Sequence, residues 1–289
     1  MIVDCHTRIW SSPSQLGQAV PAGTPPRADE ARHAAATQPV DRAIVLALKS
    51  RHLRAEIPNR FVADYVRRNP GKFIGFAGID PTELDWRREL RIAQDELGLK
   101  GVVISPPIQD FHPADSRAMP FYEECLRRGL PVVIDQELRP AGAKLDYGRP
   151  ALWDEVAQAF PDLRLVLGRL GHPWVAEAVV LLGKHAHVYA DIAGLLPQPW
   201  LSCTALHAAF EYEVLDKLLF GSGFPFCSPT ACIEALYSIN QFAQGGSLPP
   251  IPRERLRGIV ERDALALLGI ADVPAPTAKV HSPIFADEE

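Results

Sequence analysis

Eight short apolar runs, each followed by a stretch of helical periodicity, leave this chain few folds to choose from. The runs cover residues 2–5, 40–47 (continuing to Lys49), 73–79, 101–105, 130–135, 163–168, 188–192 and 218–221. Each is apolar at consecutive positions and too short for a stable helix, as expected of strands covered on both faces. Helices are expected over 28–36, 53–68, 81–97, 119–128, 151–160, 174–184 and 204–215, with two more near 230–241 and 253–268. In the 81–97 helix, Leu84, Leu90, Ile92, Ala93 and Leu97 are the expected inward positions, and Gly98 is the stop. Residues 11–26 and the segment after Pro106-Pro107 read as loops. Strands alternating with helices imply a parallel sheet, and eight repeats imply an α/β fold closed as a (β/α)₈ TIM barrel. An open doubly wound sheet would carry a glycine-rich phosphate turn after its first strand, and none is present. The barrel takes residues 1–270 as one domain; 271–289, proline-rich and then acidic, reads as a surface tail.

Bulk properties narrow the partners. The net charge is −5 and no basic run is long, so nucleic acid is excluded as a partner. No apolar stretch approaches the roughly 20 residues of a membrane span. Asp4, His6 and Arg8 interrupt the N-terminus where a signal peptide would need an apolar run. The five cysteines are scattered without C-x-x-C spacing, which suits reduced thiols in a cytoplasmic protein. Cys227 and Cys232 are the closest pair and read as buried thiols. The oligomeric state is left open, a homo-oligomer included.

In a barrel of this kind the site lies where the C-terminal strand ends converge. Those ends carry Asp4, His6 and Arg8; Lys49; Asp80; Ser105; Asp135 and Glu137; Arg169 and His172; Asp191; and Ser222. Period-two geometry along the first strand is expected to direct Asp4, His6 and Arg8 to one side. Hiding such groups is costly unless they are paired or used. Asp191 reads as a loop anchor.

Several stretches together resemble the amidohydrolase-related family, in the branch that contains aminocarboxymuconate-semialdehyde decarboxylase and the pyrone-dicarboxylate lactonases. They are Asp4-Cys-His-Thr-Arg8, Val40-Asp-Arg-Ala-Ile-Val45, Gly101-Val-Val-Ile-Ser-Pro106 and Gly129-Leu-Pro-Val-Val-Ile-Asp135. Leu167-Gly-Arg-Leu-Gly-His-Pro-Trp174, Val188-Tyr-Ala-Asp-Ile-Ala-Gly194, Leu219-Phe-Gly-Ser-Gly-Phe-Pro-Phe226 and Asp263-Ala-Leu-Ala-Leu-Leu268 complete the set. The resemblance implies D-x-H-x-H on strand one, a histidine ending each of strands five and six, and an aspartate after Gly-Ser on strand eight. Metal-dependent members bind a divalent ion with these. Here His6 matches, while Arg8, Asp135, Arg169 and Gly223 stand in the other four places. A guanidinium has no lone pair for a metal, and glycine has no side chain to offer. No metal and no other cofactor is therefore expected.

Two uses of the substituted residues stay open. Asp135 pairs with Arg8 or Arg169 and neutralises the former metal place, or the arginines grip a ligand's carboxylate or phosphate through their planar fork. The first function to follow is a metal-independent hydrolase, or a carboxy-lyase, acting on a small anionic molecule. In it His6 and Asp135 are catalytic, and Arg8, Arg169, Lys49 and His172 bind substrate. The second is a non-catalytic barrel, a pseudoenzyme that binds a ligand or partner.

Overall fold

The computed structural model describes residues 1–20, 25–243 and 249–270. Eight strands lie parallel: β1 (Val3–Thr7), β2 (Arg42–Leu46), β5 (Phe73–Gly78), β6 (Gly101–Ile104), β7 (Val132–Ile134), β8 (Leu165–Leu167), β9 (Val188–Asp191) and β10 (Leu218–Leu219). Sequence neighbours pair from β1 round to β10. The ring closes by backbone bonds between β1 and the segment after β10. Cys5 N donates to Phe220 O (2.8 Å), Gly223 N to His6 O (3.0 Å) and Arg8 N to Phe224 O (3.0 Å). The expected TIM barrel is the observed fold.

The strands divide their side chains between two cores. Val3, Cys5, Ile44, Leu46, Ile74, Phe76, Val103, Val133, Val166, Tyr189 and Leu219 fill the barrel interior. Ala264, Leu265 and Leu268, on the short helix α11 (Ala264–Leu267) and just after it, join that interior. Alternate strand residues such as Ala43, Val45, Val132 and Ile134 pack outward against the helices. Those helices are α1 (Glu30–Ala36), α2 (Asn59–Arg68), α3 (Trp86–Arg91), α4 (Pro106–Gln109), α5 (Met119–Arg127), α6 (Trp153–Ala159), α7 (Val175–Lys184), α8 (Pro199–Glu211), α9 (Pro229–Tyr237) and α10 (Arg253–Glu261). Among the described residues no helix is long and apolar enough to cross a membrane.

Several expectations need correcting. The second run does not continue to Lys49 as one strand. It breaks after β2 into an antiparallel hairpin, β3 (Leu48–Ser50) with β4 (Ala55–Ile57). The helix expected from 53 consequently starts at Asn59, because β4 takes Ala55–Ile57 and Pro58 is its N-cap. Pro106-Pro107 does not open a loop but starts α4, where proline's fixed φ suits the first turn. The 81–97 helix starts only at Trp86 and widens into a π turn over Ile92–Glu96. Leu84, before its start, is fully exposed instead of buried. The tail proposed for 271–289 lies outside the described residues.

The correction with most bearing on the site is in β1. Val3 pairs with Arg42 and Asp4 with Ala43, yet Thr7 pairs with Val45. Three residues of β1 thus span two of β2, a bulge that reverses the alternation of side chains. Cys5 faces the interior core, and Thr7 faces out, where its hydroxyl meets His33 of α1 at 2.9 Å. Asp4, His6 and Arg8 therefore do not share a side. His6 and Arg8 line the cavity at the barrel mouth. Asp4 is turned to the helix side, where its Oδ1 accepts from Ser222 N (2.9 Å) and His6 N (3.2 Å).

Asp4 carries a pH signature. It is fully buried, and burial raises its carboxyl to about 6 against the lowering effect of the bonds from Ser222 and His6. A raised carboxylate adds stability below its unfolded value of 3.8 and loses that share as pH rises through about 6. The shift corresponds to about 3 kcal/mol. Asp4→Asn keeps an acceptor for both N–H groups and removes the charge. Urea unfolding of both proteins is expected to show the difference in stability moving by about 3 kcal/mol in favour of Asn between pH 4 and pH 7. Parallel curves over that range would rule it out.

Candidate active site

Four strand ends and the loops beyond them build the site. β1 supplies His6 and Arg8; Asp135, Gln136 and Glu137 follow β7; Arg169 and His172 follow β8; β9 ends in Asp191. His6, Arg8, Gln136, Glu137, Arg169 and His172 line one cavity of about 400 Å³. Its remaining wall is largely apolar, with Leu138, Leu195, Phe224 and Phe226 among the contributors.

At the centre is a histidine–aspartate pair. His6 Nδ1 lies 2.8 Å from Asp191 Oδ2, and both residues are buried. Asp191 Oδ1 already accepts from Arg169 N and Ala193 N, each at 3.0 Å. The free oxygen accepts from Nδ1–H, which fixes the tautomer and leaves the Nε2 lone pair turned away from Asp191. Nε2 is 4.0 Å from Asp135 Oδ1. The sequence suggests a loop anchor at Asp191. It is one, but through its second oxygen it also sets the histidine ring.

The charged groups are paired. Arg8 Nη1 donates to Asp135 Oδ2 at 3.0 Å, as one of the two uses of these residues required. Arg169 Nη2 donates to Glu137 Oε2 at 3.0 Å, and Arg139 meets the same carboxylate at 3.2 Å. Burial pushes the Asp135 carboxyl up, but Arg8, His6 and Arg169 outweigh it and hold it at about 2. Burial works against the Arg169 charge as well, and Glu137, Asp135 and Asp191 more than restore it. His172 is lowered by burial and by Arg169. Arg8 Nε and Nη2, Arg169 Nε and His172 Nδ1 are buried without a protein partner.

Arg169 is also strained. It has φ 55° and ψ 31°, and Leu170 follows at φ 48°, so two consecutive non-glycine residues adopt the left-handed conformation. Each costs about 1–3 kcal/mol, and such strain persists only where surrounding contacts impose it. Here the Arg169 N–H is held by Asp191 and its guanidinium by Glu137.

Lys49 is placed elsewhere. Its ammonium lies on the β3–β4 hairpin between Glu83 and Glu89, and it does not line the cavity. Glu83, Asp85 and Glu89 are the one acidic grouping among the described residues with cation-holding geometry, and Lys49 already serves it. Of the six site residues expected from sequence, five converge and Lys49 does not.

The five positions that the resemblance gives to a metal do not fit a divalent ion. His6 Nδ1 is committed to Asp191, one Asp135 oxygen is committed to Arg8, and two guanidiniums stand where ligands would be. Gly223 has φ 72°, a conformation that a side chain there would strain. A dication would be repelled by the arginines and would find only two of its five donors.

Comparison with known proteins agrees with this architecture. A family model described as Amidohydrolase matches residues 3–270. Among solved structures, an uncharacterized TIM-barrel protein from Bordetella bronchiseptica is 21% identical, with a TM-score of 0.66, covering 93% of this chain and 99% of that one. A probable 2-pyrone-4,6-dicarboxylic acid hydrolase from Acinetobacter baumannii, with citric acid bound, is 14% identical with a TM-score of 0.65 over 93% and 99%. A dihydroxybenzoic acid decarboxylase from Polaromonas sp. JS666, with bound manganese and 2-nitroresorcinol, is 15% identical with a TM-score of 0.65 over 93% and 97%. No curated protein sequence matches significantly.

Proposed function

Because this chain belongs to the amidohydrolase family, we propose that it is a hydrolase of that family which works without a metal ion on a small anionic substrate. The observation that carries the proposal is one cavity holding the Asp191-oriented His6 beside two half-buried guanidiniums. Arg169 and Arg8 receive the substrate's carboxylate, their remaining N–H groups matching its oxygens in a water-poor setting. The apolar wall takes the rest of the molecule. His6 Nε2 is the general base. Nε2 and Asp135 Oδ1 are 4.0 Å apart, and in the reaction a substrate water placed between them would donate to both. His6 withdraws a proton from that water as it attacks the substrate carbonyl, and Asp191 steadies the ring as it takes the charge; the tetrahedral intermediate then collapses, the bond from the carbonyl carbon to the leaving group breaks, and His6 returns the proton to the leaving atom. Asp135, held at about 2, is too weak a base for this step. Its share is to align the water and to hold Arg8. The citric acid bound by the Acinetobacter protein supports a small polyanion as a first probe. The manganese of the Polaromonas protein marks what this donor set gives up.

The test is a thermal-shift panel of citrate and small mono- and dicarboxylates on the native chain and on Arg169→Met. A ligand at a hundredfold excess over its dissociation constant stabilises the fold by about 2.7 kcal/mol. The native melting temperature is expected to rise with at least one anion, and that of Arg169→Met much less. Elemental analysis after dialysis is expected to find no stoichiometric divalent ion. One tightly held zinc or manganese per chain, lost in His6→Ala, overturns metal independence.

A second reading has its own observation. Arg8–Asp135 and Arg169–Glu137 are already neutral pairs, which suits a non-catalytic barrel. A native chain that no anion stabilises decides for that reading.

A further inference from the structure

Helix α9 begins beside the cavity in a way that brings two thiols together. Ser228 is its N-cap, with its side chain accepting from Ala231 N, and Pro229 occupies the first helical position. Cys227 is then the residue before the cap and Cys232 the fourth residue of the helix. These are the two positions whose side chains meet when a hydrophobic staple closes a helix N-terminus. Here the staple is made of sulfur: Cys227 and Cys232 stand at its two positions and influence each other's thiols, while Cys232 Sγ donates to Ser222 O at 3.5 Å.

The partners differ in access. Cys227 is half-buried and lines the cavity, whereas Cys232 is fully buried. Cys5, Cys125 and Cys203 are also buried and do not line this cavity.

We propose that Cys227 and Cys232 are a redox-sensitive pair in the cavity wall, in which a peroxide oxidises Cys227 and Cys232 then closes a disulfide. The proposal is independent of the hydrolase reading. The Cys227 thiolate attacks one peroxide oxygen, the O–O bond breaks, and the departing hydroxide leaves as water on taking a proton. The product is a sulfenic acid at Cys227. The Cys232 sulfur attacks that sulfur, the S–O bond breaks, and the leaving oxygen takes the Cys232 proton as a second water. Two thiols have lost two electrons and one peroxide has been reduced to two waters. The neighbouring Cys232 side chain, ahead of the opposing effect of burial, and the Ser228 N–H lower the Cys227 thiol to about 7, which supplies thiolate at neutral pH. The same contact and burial raise Cys232, and burial raises Cys5, Cys125 and Cys203, so none of these competes.

The experiment treats the full, native chain with one equivalent of hydrogen peroxide, blocks remaining thiols with N-ethylmaleimide and maps the peptides by mass. A Cys227–Cys232 disulfide, lighter by two hydrogens and reversed by dithiothreitol, is expected. In Cys232→Ser the reaction is expected to stop at a sulfenic acid on Cys227 that dimedone traps. In Cys227→Ser, Cys232 stays reduced. Iodoacetamide on the untreated native chain is expected to label Cys227 at least ~tenfold faster than Cys125, a reading that needs no variant. Cys227 remaining reduced while another cysteine oxidises overturns the proposal. So does oxidation of Cys232 in Cys227→Ser at the native rate.

Discussion

Asp135→Asn is expected to destabilise the protein by about 3–5 kcal/mol, the usual result of removing one member of a buried ion pair. Asp135 is fully buried and the Arg8 side chain is 14% exposed, and Asp135 Oδ2 is the acceptor of the Arg8 guanidinium. An asparagine presents either a neutral oxygen or an N–H group to a guanidinium that has only donors, leaving a buried charge without its counterion. For a chain of this size the melting temperature should fall on the order of 10 °C. Acid titration supplies a smaller and separable effect. The Asp135 carboxyl is depressed, so its share of stability is present above the unfolded value of 3.8 and lost as pH falls through about 2. That share is about 2.5 kcal/mol. Differential scanning calorimetry from pH 2 to pH 7 measures both; an unchanged melting temperature at pH 7 would show that the pair contributes nothing.

Asp191→Asn is expected to leave the fold in place and to disable His6 in the role of base that we propose for it. The asparagine oxygen can still serve Arg169 N and Ala193 N, whose bonds converge on Oδ1. Its amide N–H₂ then faces His6 Nδ1, which must become an acceptor, so the ring proton moves to Nε2. The lone pair needed at the cavity side is gone. An analogous exchange in the serine-protease triad lowers turnover by about 10⁴-fold through the wrong tautomer. Turnover should fall here by a similar order, and the change can be read before any substrate is known. Nitrogen chemical shifts of histidine-labelled protein are expected to show His6 protonated at Nδ1 in the native chain and at Nε2 in the variant. The same tautomer in both would remove Asp191 from the mechanism. Asp191→Ala is the contrasting case: it strands three donors and should lose stability as well.

The barrel was legible because it depends on periodicity, which local sequence records. The strand ends could be found from those runs, and five of six expected site residues do converge. What stayed hidden was pairing at long range and local irregularity. His6 and Asp191 are 185 positions apart, and no spacing rule links the end of the first strand to the seventh. Lys49 has no glycine or proline before it to announce the hairpin, and the acids that claim it lie on the next barrel unit. Arg169 and Leu170 are poor candidates for left-handed backbone on propensity alone; tertiary bonds hold them there. The bulge in β1 leaves no mark either, since Asp4-Cys-His-Thr7 could extend regularly.

That bulge makes the site depend on counting. The core half of β1 and the chemical half run out of phase by one residue, so no regular strand can present Cys5 and His6 as this one does. Deleting a single residue between Asp4 and Thr7 would make the strand regular with Thr7 still paired to Val45, and leave one inward place where Cys5 and His6 now hold two. Substitutions can adjust the site by degrees; a shortening of this strand would remove outright either its core residue or its histidine. An engineer grafting these residues onto another barrel would have to transplant the irregularity along with the side chains.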